Sequence, residues 1–409
     1  LENVEALAPN YSHNALKAQD SITEIISDVS EDRLLLLTMS AHDKSTLANN
    51  IRAHTAVVDH YNLHDFVYTL NNKRSVLSTK GFIITTEQTA AKDMNIENFK
   101  FTSSSTPVDK VAFIFTGQGA AWLTIGREAI KHFPLFHSVI QKLDLILRDL
   151  QHPPNFSIEQ QLSCCKEEGQ LHDSNVAQAT LTAIQIATVD LLASWGIVPE
   201  ATIGHSAGEI AASYAAGLGS APAATIASYY RGYCLQSFGP PGDSILAVGK
   251  GVDDLKLSKL GPYLSVACEN SPNSVTLSGP AAEIEEARET FTAQQVFARE
   301  VRTGMGYHSK YMKNVADPMA NYIDSAVVAL DILDYQWLQD PKPMLSTVTN
   351  KILNSRDVDG RYWAMNLTSP VKFNTAVSLL ASSGSLKDVR GFVEVGPHSA
   401  LSGPFKQIC

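Results

Sequence analysis

The chain holds five cysteines in 409 residues, and no two of them form a Cys-x-x-Cys pair. Cys164, Cys165, Cys234, Cys268 and Cys409 are odd in number and irregular in spacing, which argues against a zinc site or a disulfide framework and suits a reducing compartment. The cytosol (cytoplasmic location) is therefore expected. Basic runs are missing too. The 32 Lys and Arg are dispersed among 42 Asp and Glu for a net charge of −10, so there is no strong field for a nucleic-acid backbone. No stretch approaches the roughly 18 uninterrupted apolar residues of a membrane span. Residues 1–30 lack a basic start followed by an apolar block. A soluble, unprocessed chain with neither nucleic acid nor membrane as partner is expected. Because it opens on Leu1 rather than methionine, it reads as a piece of a longer polypeptide.

Apolar residues make up 44% of the chain and charged residues 18%, an ordinary globular balance at a length that calls for two or three folding units. Residues 1–30 read as a polar, irregular upstream tail. Arg33–Ser40 reads as a buried strand whose last residue, Ser40, can cap a helix from His42 onward. Helical patterning to about Val67, then Val67–Leu70 and strand-like Gly81–Thr86, make residues 31–106 a small α/β module. It ends in Thr102-Ser-Ser-Ser-Thr-Pro107, a linker by composition. Lys110–Phe115 is an apolar run of strand length that leads into Thr116-Gly-Gln-Gly-Ala120, a loop whose glycines let backbone amides face a ligand. Ala177–Trp195 has helical periodicity. Within 243–303 the predicted order is a strand Ile245–Gly249, a short helix Val252–Leu260, strands Leu264–Cys268 and Ser274–Ser278, a helix Ala281–Thr292 and a strand Gln295–Arg299. That order, βαββαβ, is ferredoxin-like.

Gly204-His205-Ser206-Ala207-Gly208 has the form Gly-x-Ser-x-Gly, and it lies between the short strand Ala201–Gly204 and the helix-forming Glu209–Ala216. A sharp strand-to-helix turn there presents Ser206 as a nucleophile at a helix N-terminus, where the dipole favours developing negative charge. A serine hydroxyl needs a base, and histidine is the usual one near neutral pH. Twelve histidines compete for the role. His308 in Gly306-Tyr-His-Ser309 and His398 in Gly396-Pro-His-Ser399 both follow apolar, strand-like segments, and spacing does not choose between them.

Six ordered motifs from about Val108 to the C-terminus resemble the malonyl/acyl-CoA:acyl carrier protein transacylases: Gly117-Gln-Gly119, Gly204–Glu209, Arg231 in Tyr230-Arg-Gly232, Tyr307-His-Ser309, Tyr362–Leu367 with Pro370-Val371, and Glu394–His398. Residues 31–106 resemble the linker between ketosynthase and acyltransferase in polyketide synthases. Val266–Pro272 and Ser274–Gly279 are most similar to the fungal, iterative, highly reducing kind. The resemblance implies an α/β fold: an α/β-hydrolase-like large subdomain with a parallel sheet (107–240 and 304–409), interrupted by a ferredoxin-like small subdomain (241–303). It implies Ser206 and His308 as a catalytic dyad, with the backbone N–H groups of Gln118 and Ala207 as the oxyanion hole. Asn366 would orient the base through its main-chain carbonyl, Arg231 would bind the substrate carboxylate, and His205, Met305, Gly306 and Tyr307 would line the specificity pocket.

The implied reaction carries a malonyl unit from malonyl-CoA, through acyl-Ser206, to the phosphopantetheine of an acyl carrier protein. No metal and no bound cofactor are implied in this chain, coenzyme A entering only as a substrate thioester. The adjacent ketosynthase domain is an implied neighbour and the parent an implied homodimer. The chain departs from the family at four places: Ala121 precedes Trp122 where glutamine is common, Met365 replaces arginine, Ile245 replaces methionine, and Met305-Gly-Tyr-His308 matches neither bacterial specificity pattern. A bulky Tyr307 leaves little room for a methyl branch, a preference for malonyl of about 1–3 kcal/mol. A starter-unit acyltransferase, an editing serine thioesterase or hydrolase, and an inactive scaffold are the alternatives. Ser206 with Arg231 argues against the first, Arg231 against the second, and intact Ser206, His308 and Arg231 against the third.

Overall fold

The computed structural model describes residues 34–103, 110–118, 125–164, 173–255, 261–301, 304–331, 341–382 and 389–409. The expected tail, most of the Ser/Thr/Pro linker and the Ala121–Trp122 departure lie outside the described residues. The chain divides into two compact units, Leu1–Val108 and Asp109–Cys409.

In the first unit, β1 (Leu35–Ala41), β2 (Thr79–Thr85) and β3 (Lys100–Ser103) form an antiparallel sheet in the order β1-β2-β3. Alternate residues of β1 and β2 are buried, the period-2 signature of a sheet covered on one face. Leu35, Leu37, Met39 and Ile83 pack there against Leu47 and Ile51 of the helix Lys44–Thr55 and against Phe66, Val67 and Leu70 of the helix Leu63–Asn72. The first helix is capped by Asp43, which accepts from the Thr46 amide, and not by Ser40. The strand runs on to Ala41, so the Ser40 hydroxyl is used across the sheet edge instead, donating to the Ser75 carbonyl and accepting from the Leu77 amide.

The second unit contains, in chain order, β4 (Val111–Phe115), β5 (Pro199–Gly204), β6 (Asp243–Val248), β7 (Ser265–Ser271), β8 (Ser274–Pro280), β9 (Ala298–Val301), β10 (Met344–Leu345), β11 (Ile352–Leu353) and β12 (Gly391–Val395). One sheet has the order β11-β10-β5-β4-β12, parallel except for the edge strand β11. Helices cover both of its faces, which is why β4 is a near-continuous apolar run. Phe113 and Phe115 point into a core shared with the helices Pro134–Arg148, Ser174–Ser194 and Ala221–Phe238. Ala112, Ile114, Ala201 and Ile203 point the other way, toward Phe373, Ala376, Val377 and Leu401. Helix Ser174–Ser194 is long and apolar enough to cross a bilayer by length and composition, yet 72% of that stretch is buried within the protein.

The other sheet, inserted between β5 and β10, is fully antiparallel with the order β7-β8-β6-β9. The helix Ala281–Ala293 packs on it through Ile284, Ala287 and Phe291. This is the ferredoxin-like order. Its first helix, expected over Val252–Leu260, is a single 3-10 turn over Val252–Asp254, and residues 256–260 lie outside the described residues. Within this unit the inserted sheet is tied to the segment ahead of the helix Phe373–Ser382, where Val371 exchanges backbone hydrogen bonds with Ala267 and Glu269 of β7. The fold is thus α/β, with a hydrolase-like parallel-sheet part interrupted by a ferredoxin-like part.

Candidate active site

Strand β5 ends at Gly204 and the helix Gly208–Ala215 begins four residues later, which forces the chain through a turn at Ser206 with φ of 56°. A non-glycine residue in this left-handed region costs on the order of 1–3 kcal/mol and persists where the surroundings impose it. Here they do. A Cβ on Gly204 would lie 2.2 Å from the Glu209 nitrogen, and one on Gly208 would lie 2.4 Å from the Phe115 carbonyl oxygen. The two glycines of the motif are therefore steric requirements of strand and helix, and the residue between them takes the strain. Ala207 opens the helix, so its amide is among the first-turn N–H groups that have no intrahelical acceptor.

His308, 102 positions downstream, reaches Ser206: its Nε2 lies 2.6 Å from the serine Oγ. It too has a positive φ, 58°. Its Nδ1 lies 3.0 Å from the Asn366 carbonyl oxygen and 3.1 Å from that of Ser369, and its backbone amide donates to Leu367. These carbonyls end the helix Gly360–Thr368, where main-chain oxygens lack helical donors. Because both partners of Nδ1 are acceptors, Nδ1 carries the proton and Nε2 is left to accept from Ser206. Burial drives the imidazole pKa down to about 3, with the positive charge of Arg231 and then His205 adding to it and the two carbonyls opposing it. At neutral pH the ring is uncharged. His398, the other sequence candidate, lies exposed after β12.

Arg231, on the helix Ala221–Phe238, is 1% exposed. Its Nη1 donates to Asn366 Oδ1 at 3.0 Å, whereas Nε and Nη2 have no hydrogen-bond partner among the described residues. Burial lowers its pKa to about 10, so it stays charged at neutral pH. Two unpaired donors on a desolvated cation are costly unless an anion comes to meet them. Tyr307 is buried beside this cation and beside the His308 ring. The rest of the expected pocket spreads toward the inserted sheet. His205 bonds Asn270 of β7 through Nε2 at 2.9 Å and packs edge-on against Phe373. A Cβ on Gly306 would meet Asp243 Oδ2 at 2.6 Å, and Met305 packs against Gly239.

The loop holding Gln118 is fastened from the core helix Ser174–Ser194. Gln185 donates to the carbonyls of Thr116 and Val395 at 2.9 and 3.1 Å, and Gln178 donates to Gln118 Oε1 at 2.7 Å. Gly117 lies so close to the turn that a Cβ there would be 2.7 Å from the His205 carbonyl oxygen. Sequence reasoning assigns no role to Gln178, Gln185 or Glu209. The latter is fully buried and accepts from the Thr347 amide at 2.5 Å and the Thr347 hydroxyl at 2.9 Å. It also accepts from the Tyr362 hydroxyl at 2.6 Å and Asn366 Nδ2 at 2.8 Å. The available signal is a lone acid in an otherwise uncharged, alanine-rich helix.

Similarity to known proteins agrees with this architecture. The family described as "Acyl transferase domain" matches residues 112–407. The chain is 38% identical over 381 residues to a reducing polyketide synthase of Fusarium langsethiae, an alignment covering 91% of this chain and 16% of that protein. It is 40% identical over 361 residues to a highly reducing polyketide synthase of Gibberella moniliformis, covering 84% of this chain and 13% of the relative. The chain thus spans about one sixth of the length of such relatives. In fold it is similar to the acyltransferase domain from module 8 of the salinomycin polyketide synthase, with a TM-score of 0.78 and 23% identity over 91% of this chain and 88% of that one. Since the family match takes in nearly all of the parallel sheet together with the whole insertion, the chain belongs to the acyl transferase domain family.

Proposed function

We propose that this chain transfers a malonyl unit from coenzyme A to the phosphopantetheine thiol of an acyl carrier protein, through an ester on Ser206. His308 Nε2 takes the Ser206 proton as Oγ adds to the thioester carbonyl. The amides of Gln118 and Ala207 receive the oxyanion, a contribution of about 3–4 kcal/mol per fixed donor. Collapse of the adduct breaks the C–S bond, and the coenzyme A thiolate leaves with the proton that His308 holds. In the second half the phosphopantetheine thiol gives its proton to the same nitrogen and attacks the ester, and collapse of that adduct breaks the acyl C–Oγ bond as His308 returns the proton to Ser206. Main-chain carbonyls at a helix end do for His308 what a carboxylate does in a hydrolase triad: they hold the ring and its tautomer.

The observation that carries the malonyl assignment is Arg231. A buried guanidinium whose Nε and Nη2 have no partner among the described residues presents one edge that matches a carboxylate bidentately, and it lies one side chain, Asn366, from the nucleophile. A neutral starter acyl group, or a hydrolase substrate, would leave that edge unmatched. The reading extends to a parent polypeptide in polyketide biosynthesis, with a ketosynthase beside residues 31–106 and a dimeric, cytoplasmic whole. Incubation with malonyl-CoA followed by intact-mass measurement tests it. A malonyl adduct should form, and Ser206→Ala should abolish it. A chain that releases malonate or uncharged acids to water without accumulating an adduct would speak for a hydrolase.

A further inference from the structure

The Asn366 side chain touches three groups at once, and their chemistry allows it one orientation. Its Nδ2 lies 3.2 Å from the Ser206 carbonyl oxygen and 2.8 Å from Glu209 Oε2, while its Oδ1 lies 3.0 Å from Arg231 Nη1. Turned over, the amide would set oxygen against two acceptors and nitrogen against a guanidinium donor. Glu209 is the fixed end of this arrangement. Its Oε1 is held by the amide and hydroxyl of Thr347, and its Oε2 by the Tyr362 hydroxyl, four residues before Asn366 on the same helix.

We infer that Glu209, through the Asn366 side chain, is the positioning residue for Arg231, presenting the Nε–Nη2 edge of the guanidinium to a carboxylate-bearing acyl group. The inference rests on the reading of Arg231 given above. Asn366 takes up Nη1 alone, and that is the nitrogen a side-on carboxylate does not need. Nε and Nη2, which point the same way, remain for the ligand. Glu209 makes no contact with the substrate in this scheme. Its effect is on charge selectivity, not on the acyl-transfer step common to all thioesters.

The test compares kcat/KM for Ser206 acylation by malonyl-CoA and by acetyl-CoA, which lacks the carboxylate. Glu209→Gln keeps the shape but removes the charge and sets an amide N–H either against the Thr347 pair or against the Tyr362–Asn366 pair, so the carboxylate that anchors the Asn366 amide is lost in either orientation. The malonyl-to-acetyl ratio should fall at least about tenfold, with acetyl-CoA acylation changed by less than about threefold. In Arg231→Ala the ratio should collapse, and Glu209→Gln added to it should lower the ratio no further. Equal loss with both substrates would mean that Glu209 only supports the turn at Ser206, and an unchanged ratio would mean that it does not act on Arg231. Either result overturns the inference. If Arg231→Ala itself leaves the ratio intact, the carboxylate-binding reading fails as well. Should Glu209→Gln not fold, Tyr362→Phe decides, because it removes one donor from Glu209 at constant volume: a ratio lowered about threefold or more supports the relay, and no change overturns it.

Discussion

Acidifying the acylation assay from pH 8 to pH 5 reads the electrostatics of the Ser206–His308 pair. Only neutral imidazole can accept the serine proton. A histidine at the ordinary value of about 6.5 is roughly 3% neutral at pH 5, whereas one at about 3 is roughly 99% neutral. The kcat/KM for malonyl-Ser206 formation, followed by quenching and intact-mass measurement, should therefore stay within about twofold over this range, where an ordinary histidine would lose about thirtyfold. The same perturbation bears on stability with a definite sign. The folded pKa lies below the unfolded one, so between about pH 6.5 and pH 3 the unfolded chain binds more protons. This contribution is whole above about pH 6.5 and is lost as the pH falls toward 3, a total of roughly 5 kcal/mol. Removing the like charge with Arg231→Ala should raise the acid limb of the acylation profile. A wild-type profile with its midpoint near pH 6.5 would refute the account of a desolvated base beside a buried cation.

Two further outcomes follow from geometry. Gly208→Ala places a Cβ 2.4 Å from the Phe115 carbonyl oxygen and 2.7 Å from that of Thr116, both backbone atoms. It should lower the melting midpoint by several degrees, a loss of about 1–3 kcal/mol or more, and impair acylation. Gly403→Ala, in the helix Ser402–Ile408 with nothing within 4 Å of the new carbon, should leave both unchanged. Equal behaviour of the two variants would contradict the steric argument. Alkylation at pH 8 followed by peptide mapping should label exposed Cys164 in the native chain and spare Cys234 and Cys268 until denaturation, because burial pushes both of those thiols up to about 12. Labelling of Cys268 at the rate of Cys164 would contradict its burial.

What was legible in the sequence was local. Lys110–Phe115 announces a strand buried on both faces because nothing in it is polar after the lysine, and Gly-x-Ser-x-Gly announces a tight turn because glycine alone tolerates the contacts at Gly204 and Gly208. The choice between His308 and His398 was not local. Both follow strand-like segments, and they differ in what lies against them: His308 meets the C-terminal carbonyls of a helix that begins more than fifty residues later. Only the family resemblance could bring those two stretches together in advance. The Ser40 cap failed for a smaller reason. The strand runs one residue further, to Ala41, and the cap falls to Asp43 ahead of a helix that starts at Lys44. Glu209 is the instructive case. Beside Ile210, Ala211 and Ala212 it is the one charged residue of a helix that is buried on nearly every side. The groups that make an interior carboxyl tolerable, Thr347, Tyr362 and Asn366, come from 138 to 157 positions away. A charge kept inside an apolar helix, three residues from the strained Ser206, therefore signals a polar network assembled from distant chain, and the identity of its members is a matter of topology, not of pattern.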